Sequence, residues 1–170
     1  IKIVEGGYCL EKNSSIGKNK MIQNIQESSN SGLILFSRGS TGKPKAMIHN
    51  FDNLVNHYKD KKIKSINMIL FLMFDHIGGL NTLLNILSMG ATMVIPENRN
   101  ADDICKLLQD YKITVLPSSP TFLNLILMSK AHEKYNLSSL RMITYGTEVM
   151  PESLLNRLRE AFPKVKFLQT

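Results

Sequence analysis

Apolar residues recur along this chain in short runs separated by stretches at helical spacing, and the pattern becomes regular from residue 33. Leu33-Ile34-Leu35-Phe36 and Ala46-Met47-Ile48 are each the length of a strand, with a polar stretch over 37–45 between them. Asn50 reads as the cap of a helix over 51–58, on which Leu54, Val55 and Tyr58 share a face. A strand over 67–73 follows, and then Leu80, Leu83, Leu84 and Leu87 fall at helical spacing, with Gly90 as the stop signal. Residues 92–95 read as a strand ended by Pro96, and Ile104, Leu107, Leu108 and Tyr111 mark the next helix. After a strand over 113–116, Ser119-Pro120 supplies a cap and a first turn for a helix over 121–131. That helix is apolar almost all round, which predicts deep burial. A strand over 141–145, a helix opened by Pro151 with Leu154, Leu155, Leu158 and Phe162 inward, and a strand over 165–168 complete the series.

Residues 1–31 are less regular. Ile1 to Val4 fit a strand, but the segment from Lys12 to Ser31 is rich in Asn, Ser, Lys and Gln. It carries only a weak helical pattern at Met21, Ile22 and Ile25, and reads as a leading segment or linker into a core over 32–170. Strands alternating with helices across short joints predict an α/β fold, a largely parallel sheet flanked by helices on both faces. Ligands in such sheets bind beyond the carboxyl ends of the strands, which selects the loops that matter.

Composition narrows this picture only modestly. The 170 residues, 43% hydrophobic, suffice for one ordinary core. No apolar run reaches bilayer length, and Ile1 to Leu10 lack a signal-peptide pattern. The two cysteines, Cys9 and Cys105, are far apart with no CxxC or neighbouring His, which argues against a disulfide framework or a zinc site. Cys105 falls in a helical apolar pattern and reads as core, and the whole fits a cytoplasmic protein. The net charge of +7 is dispersed, with no aromatic-basic interleaving, so a solvated surface with an anion-binding loop explains it better than nucleic acid does.

Three loops after predicted strands carry unusual residues. The first is Ser37-Arg38-Gly39-Ser40-Thr41-Gly42-Lys43-Pro44-Lys45. Its glycines let backbone amides approach a ligand, its hydroxyls donate, and three cations cluster around them, which suits a polyphosphate better than a plain exposed turn. A Walker loop would need glycine at Ser37 and a hydroxyl residue at Pro44, so that pattern fails twice. The second loop, Phe74-Asp75-His76-Ile77-Gly78-Gly79-Leu80, reads on its own as a strand-to-helix turn with Asp75 as cap and His76 exposed. The third, Thr144-Tyr145-Gly146-Thr147-Glu148-Val149-Met150-Pro151, places Glu148 in a first helical turn, where the dipole favours a carboxylate. His49 reads as packing after its strand, and His57 and His132 as surface residues. Asp102-Asp103 reads as cap chemistry, and most of the nine methionines as core filler.

The stretch from Ser37 to Lys45 resembles the phosphate-binding signature of the adenylate-forming superfamily, which includes acyl-CoA synthetases, luciferases and peptide-synthetase adenylation domains. Arg38 stands at a normally small position, and Ala46 where glycine is usual. The resemblance implies ATP-phosphate contacts from Ser37, Gly39, Ser40, Thr41, Gly42 and Lys45. It implies an adenine and substrate loop at Gly146, Thr147 and Glu148, with Thr147 replacing a second glycine. It makes His76, Gly78 and Gly79 the border of an acyl and CoA channel, with His76 lining the pocket and not acting as a base. Phe167-Leu168-Gln169-Thr170 resembles the run that leads into the family's magnesium-holding motif, which lies beyond this sequence, as does the catalytic lysine. The resemblance therefore implies an internal piece of the large domain of a carboxylate-activating ligase. Its parent would use ATP and magnesium, activate a carboxylic acid, and pass the acyl group to CoA or a carrier pantetheine. The piece itself would hold no catalytic residue and no metal ligand, would be inactive alone, and would pack against the rest of its parent or self-associate. A non-catalytic nucleotide- or protein-binding module that keeps the fold is the alternative.

Overall fold

A computed structural model of the chain describes residues 2–4, 7–9, 19–37, 45–146 and 148–170. Two short strands, β1 (Lys2–Val4) and β2 (Gly7–Cys9), pair antiparallel. Helix α1 (Lys20–Glu27) is capped by Asn19, whose side chain accepts from the Met21 amide, and it buries Ile25. The weak pattern at Met21, Ile22 and Ile25 thus marks an ordered helix within the stretch that reads as linker. Strands β3 (Gly32–Ser37) and β4 (Lys45–Asn50) form a second antiparallel pair, from Gly32 opposite Asn50 to Ser37 opposite Lys45. They form a sheet of their own, apart from the parallel one. Asn50 caps α2 (Phe51–Asn56) by accepting from the Asn53 amide, as its position predicts.

The rest of the chain alternates strand with helix, except that two helices stand between its third and fourth strands. It runs β5 (Asn67–Ile69), α3 (Ile77–Met89), β6 (Thr92–Val94), α4 (Ala101–Asp110), β7 (Val115–Ser118) and α5 (Pro120–Met128). It continues with α6 (Ala131–Lys134), β8 (Met142–Tyr145), α7 (Glu152–Ala161) and β9 (Lys166–Gln169). The five strands form one parallel sheet in the order β6-β5-β7-β8-β9. The order reverses once: β6 lies on one side of β5, and the chain then returns to β7 on the other. Because crossovers between parallel strands are right-handed, that reversal puts α3 on one face and the later helices on the other.

Side-chain alternation confirms the two faces. Ile69 and Phe71, Leu116, Ile143, Tyr145 and Phe167 point into a large core with α4, α5 and α7, which contribute Ile104, Leu108, Leu123, Ile126, Leu154 and Leu158. The next residues along the same strands, Met68, Leu70 and Val115, point the opposite way into a small core with Ile86 and Met89 of α3. The large core closes with a tilted pair of rings, Phe71 and Phe122, 4.3 Å apart. Cys105 is fully buried there, and burial, aided by the nearby Asp102 charge, pushes its thiol up to about 12.

Several local expectations are corrected. The buried face of α3 is Gly79, Thr82, Ile86 and Met89, while Leu87 is 62% exposed. The helix is apolar on more than one side, so two stripes competed and packing against β5 chose between them. The span 121–131 is two helices, because Lys130 adopts φ 54° and ends the run after Met128. Nor is it buried all round, since Leu125 is 49% and Met128 67% exposed. Strand β5 ends at Ile69, although Leu70 still donates to the Val94 carbonyl at 2.8 Å.

Candidate functional site

The small core leaves much of its face of the sheet bare. Among the described helices only α3 packs on it, and beside α3 a groove of about 430 Å³ runs over β7, β8 and β9. Its floor is the alternate residues of those strands, Val115 and Pro117, Met142 and Thr144, and Leu168. Its wall is α3, with His76, Ile77, Gly78, Asn81, Thr82, Asn85 and Met89. The helix runs back against the strands, so one end of the groove lies at their carboxyl ends, where His76, Gly78, Gly146 and Thr170 meet. The other end lies where the strands begin, beside Lys64, Ile66 and Met89.

Each residue at the carboxyl end is held by a specific local device. His76 is the N-cap of α3, and its Nδ1 accepts from the Gly78 amide at 2.9 Å. Asp75 does not cap the helix; the imidazole takes that role, because its ring nitrogen reaches the second amide of the first turn as an Asn or Ser oxygen does. With Nδ1 accepting, the proton of the neutral ring sits on Nε2. Gly78 lines the groove, where an added Cβ would sit 3.1 Å from His76 Nδ1 and 3.2 Å from Leu72 Cδ1. Gly79 faces inward instead: a Cβ there would stand 2.0 Å from the Met73 carbonyl oxygen, so the helix start seats directly on backbone. At Gly146 a Cβ would lie 2.6 Å from the Thr170 carbonyl oxygen. The chain leaving β8 crosses the end of β9 at a distance only glycine allows, and Thr170 is held to it by donating its amide to the Tyr145 carbonyl at 2.9 Å.

Glu148 serves a different helix from the one its position suggests. Helix α7 begins at Glu152 behind Pro151, so Glu148 lies outside its first turn. Its Oε2 instead accepts from the amide of Thr121 at 3.1 Å and from the Thr121 hydroxyl at 2.6 Å, at the start of α5. The carboxylate thereby meets the positive end of a helix dipole, as the sequence implies, but across the sheet edge. Lys45 opens β4 and is exposed, and it does not line the groove. Arg38, Gly39, Ser40, Thr41, Gly42, Lys43 and Thr147 lie outside the described residues, as does the side chain of Ser37. No group of three or more His, Cys, Asp or Glu side chains placed to hold a metal ion forms among the described residues.

The middle of the groove was not legible from motifs. The Tyr58 hydroxyl donates to Asn81 Oδ1 at 2.8 Å, and burial raises the pKa of that phenol. The Lys61 ammonium donates to Asn85 Oδ1 at 2.5 Å and lies 4.4 Å over the Tyr58 ring. The available signal was the spacing of Asn81 and Asn85, two amides one turn apart on a largely apolar helix.

A parallel α/β sheet with a ligand-sized groove opening at its carboxyl edge defines a small-molecule-binding domain of the doubly wound kind. Residues 7–170 match the family model described as AMP-binding enzyme, and the chain belongs to that family. It is 33% identical over 141 residues to an indoleacetate–CoA ligase of Aromatoleum aromaticum, covering 79% of this chain and 28% of that protein. It is 32% identical over 145 residues to a 4-coumarate–CoA ligase of Pinus taeda, covering 79% of this chain and 27% of that one. Among solved structures, the N-terminal domain of FACL13 from Mycobacterium tuberculosis superposes with a TM-score of 0.68 at 18% identity, over 97% of this chain and 40% of that one. A luciferase-like enzyme from the mealworm Zophobas morio does so with a TM-score of 0.64 at 25% identity, over 80% of this chain and 33% of that one. The chain thus spans little more than a quarter of the length of the CoA ligases it resembles. No helix among the described residues is long and apolar enough to cross a membrane.

Proposed function

We propose that this chain is the central part of an ATP-dependent ligase that activates a carboxylic acid as its acyl-adenylate and passes the acyl group to a thiol. The observation that carries this reading is the meeting of His76, Gly78 and Gly146 at the carboxyl end of one groove. These residues come from two loops far apart in sequence, both singled out by the resemblance. In this reading the acid lies in the groove with its carboxylate at the carboxyl edge. ATP lies beyond that edge, its phosphates held by Ser37, Gly39, Ser40, Thr41, Gly42 and Lys45. The attacking oxygen displaces pyrophosphate from the α-phosphorus, and cations and amides around the phosphates offset the charge that develops. Gly146, Thr147 and Glu148 border the adenine and the acid, with Glu148 anchored by Thr121. The relatives' names support CoA as the thiol acceptor over a carrier pantetheine. A magnesium ion would supply charge neutralisation at the phosphates, from ligands outside the described residues. The setting is cytoplasmic.

The test is acid-dependent release of pyrophosphate from ATP by the full-length protein that carries this sequence. Lys45→Ala is expected to lower that rate by at least ~100-fold with the melting temperature held, the size expected for a group that stabilises developing charge. An unchanged rate would remove Lys45 from the site, and the absence of any acid-dependent release would favour a binding module without chemistry. The 170-residue chain alone is expected to form no adenylate.

A further inference from the structure

Oily walls alone would describe a groove for an unadorned alkyl or aryl acid, but one side of this groove is not oily. Asn81 and Asn85 line it, and their carbonyl oxygens are already taken by Tyr58 and Lys61. What this leaves for a ligand is donors. The Asn81 amide N–H groups take no partner among the described residues, and Lys64 lines the far end of the groove, whereas Lys61, which holds Asn85, does not line it. No described carboxylate pairs with either ammonium. With a rise of ~1.5 Å per residue, Asn81 and Asn85 stand ~6 and ~12 Å along the helix from Ile77 at the carboxyl edge. The donors therefore sit at the depth reached by the far end of a bound acid, not beside its reacting carboxylate.

We propose that the acid taken by this groove carries a second oxygen acceptor, a hydroxyl, oxo or carboxylate group, at the end remote from the reacting carboxylate. The inference rests on the ligase reading above and adds the substrate class to it. A plain chain of the same length would bury the Asn81 amide without replacing its water, a cost that an acceptor at that depth avoids.

The experiment compares octanoate, 8-hydroxyoctanoate and octanedioate as substrates of the full-length protein, by kcat/KM for pyrophosphate release. At least one of the two functionalised acids is expected to exceed octanoate by ~10-fold or more, since sites built around hydrogen bonds reject analogues that lack the partner. Asn81→Leu and Lys64→Met are each expected to shrink that ratio toward one. A brace between the 58–64 segment and α3 would slow all three acids in parallel and leave the ratio untouched, which overturns the proposal, as does a wild-type preference for octanoate. In both of those outcomes the ligase reading stands. Failure of every acid to elicit pyrophosphate removes the ligase reading and this inference with it.

Discussion

The two faces of the parallel sheet are built from the same strands, residue by alternate residue, yet they meet different fates. One face sends Ile69, Leu116 and Ile143, all essentially inaccessible, into a core sealed by three helices. The other sends Met68, Val115, Met142 and Leu168 toward a single helix, and Leu168 remains 42% exposed. Apolar side chains on the first face fill a closed core, whereas on the second Met68 and Leu70 pack on α3 and Val115, Met142 and Leu168 line a groove. The same residue types thus carry different duties according to which helix faces them.

That contrast can be broken by mutation. The largest effect is expected from Leu123→Ala on the sealed face, a loss of ~2–5 kcal/mol in denaturant unfolding, because the cavity cannot collapse. Leu168→Ala on the grooved face should cost under ~1 kcal/mol, because solvent already reaches the site. Equal losses would erase the distinction. Next is Gly79→Ala, where the Cβ would meet the Met73 carbonyl oxygen at 2.0 Å. A shift of α3 on that scale is expected to cost ~1–3 kcal/mol in a thermal melt.

A smaller and sharper probe is Cys105. With its thiol pushed up to about 12, it stays protonated and shielded through neutral and mildly alkaline pH. In a Cys9→Ser background, labelling by a disulfide reagent at pH 9 is expected to proceed no faster than unfolding. Fast labelling of the native state would show that the sealed face is open. The smallest effect concerns Asp102, about half exposed, whose carboxyl is held low by hydrogen bonds from Lys134 and Tyr135. The same bond raises the Tyr135 phenol to about 12. A lowered carboxyl stabilises the folded chain above its unfolded pKa of ~3.9 and loses that effect as pH falls through the folded value. Asp102→Asn should therefore lower the melting temperature slightly at pH 7, and the gap from wild type should close toward pH 3.

The elements were legible where local chemistry decides them. Asn50, Ser119 with Pro120, and Gly90 each end or begin a helix where their side chains or backbone freedom require it. The faces of α3 were not legible, because a helix apolar on several sides names no inward stripe until β5 is in place. Nor was the use of Glu148, whose partner Thr121 is 27 residues away and adjacent only through the parallel pairing of β7 with β8. At the groove, the glycines and His76 stood out because tight turns demand unusual residues. Tyr58, Lys61, Asn81 and Asn85 are ordinary in isolation, and only packing of the 58–64 segment on α3 gathers them.

One feature of the sheet bears on how such a groove comes to exist. The strands flanking the point of reversal, β5 and β7, are registered only at Met68 opposite Val115, beside the bonds from Thr114 to the Asn67 carbonyl. Every other neighbouring pair in that sheet is zipped over three or four positions. On the other side of that single bridge the large core runs on unbroken, with Ile69, Phe71 and Val94 packed among Leu116, Phe122 and Leu123. Because α3 follows β5 while the floor of the groove lies on β7, β8 and β9, that one bridge joins the strand that leads into the wall of the cleft to the strands that floor it.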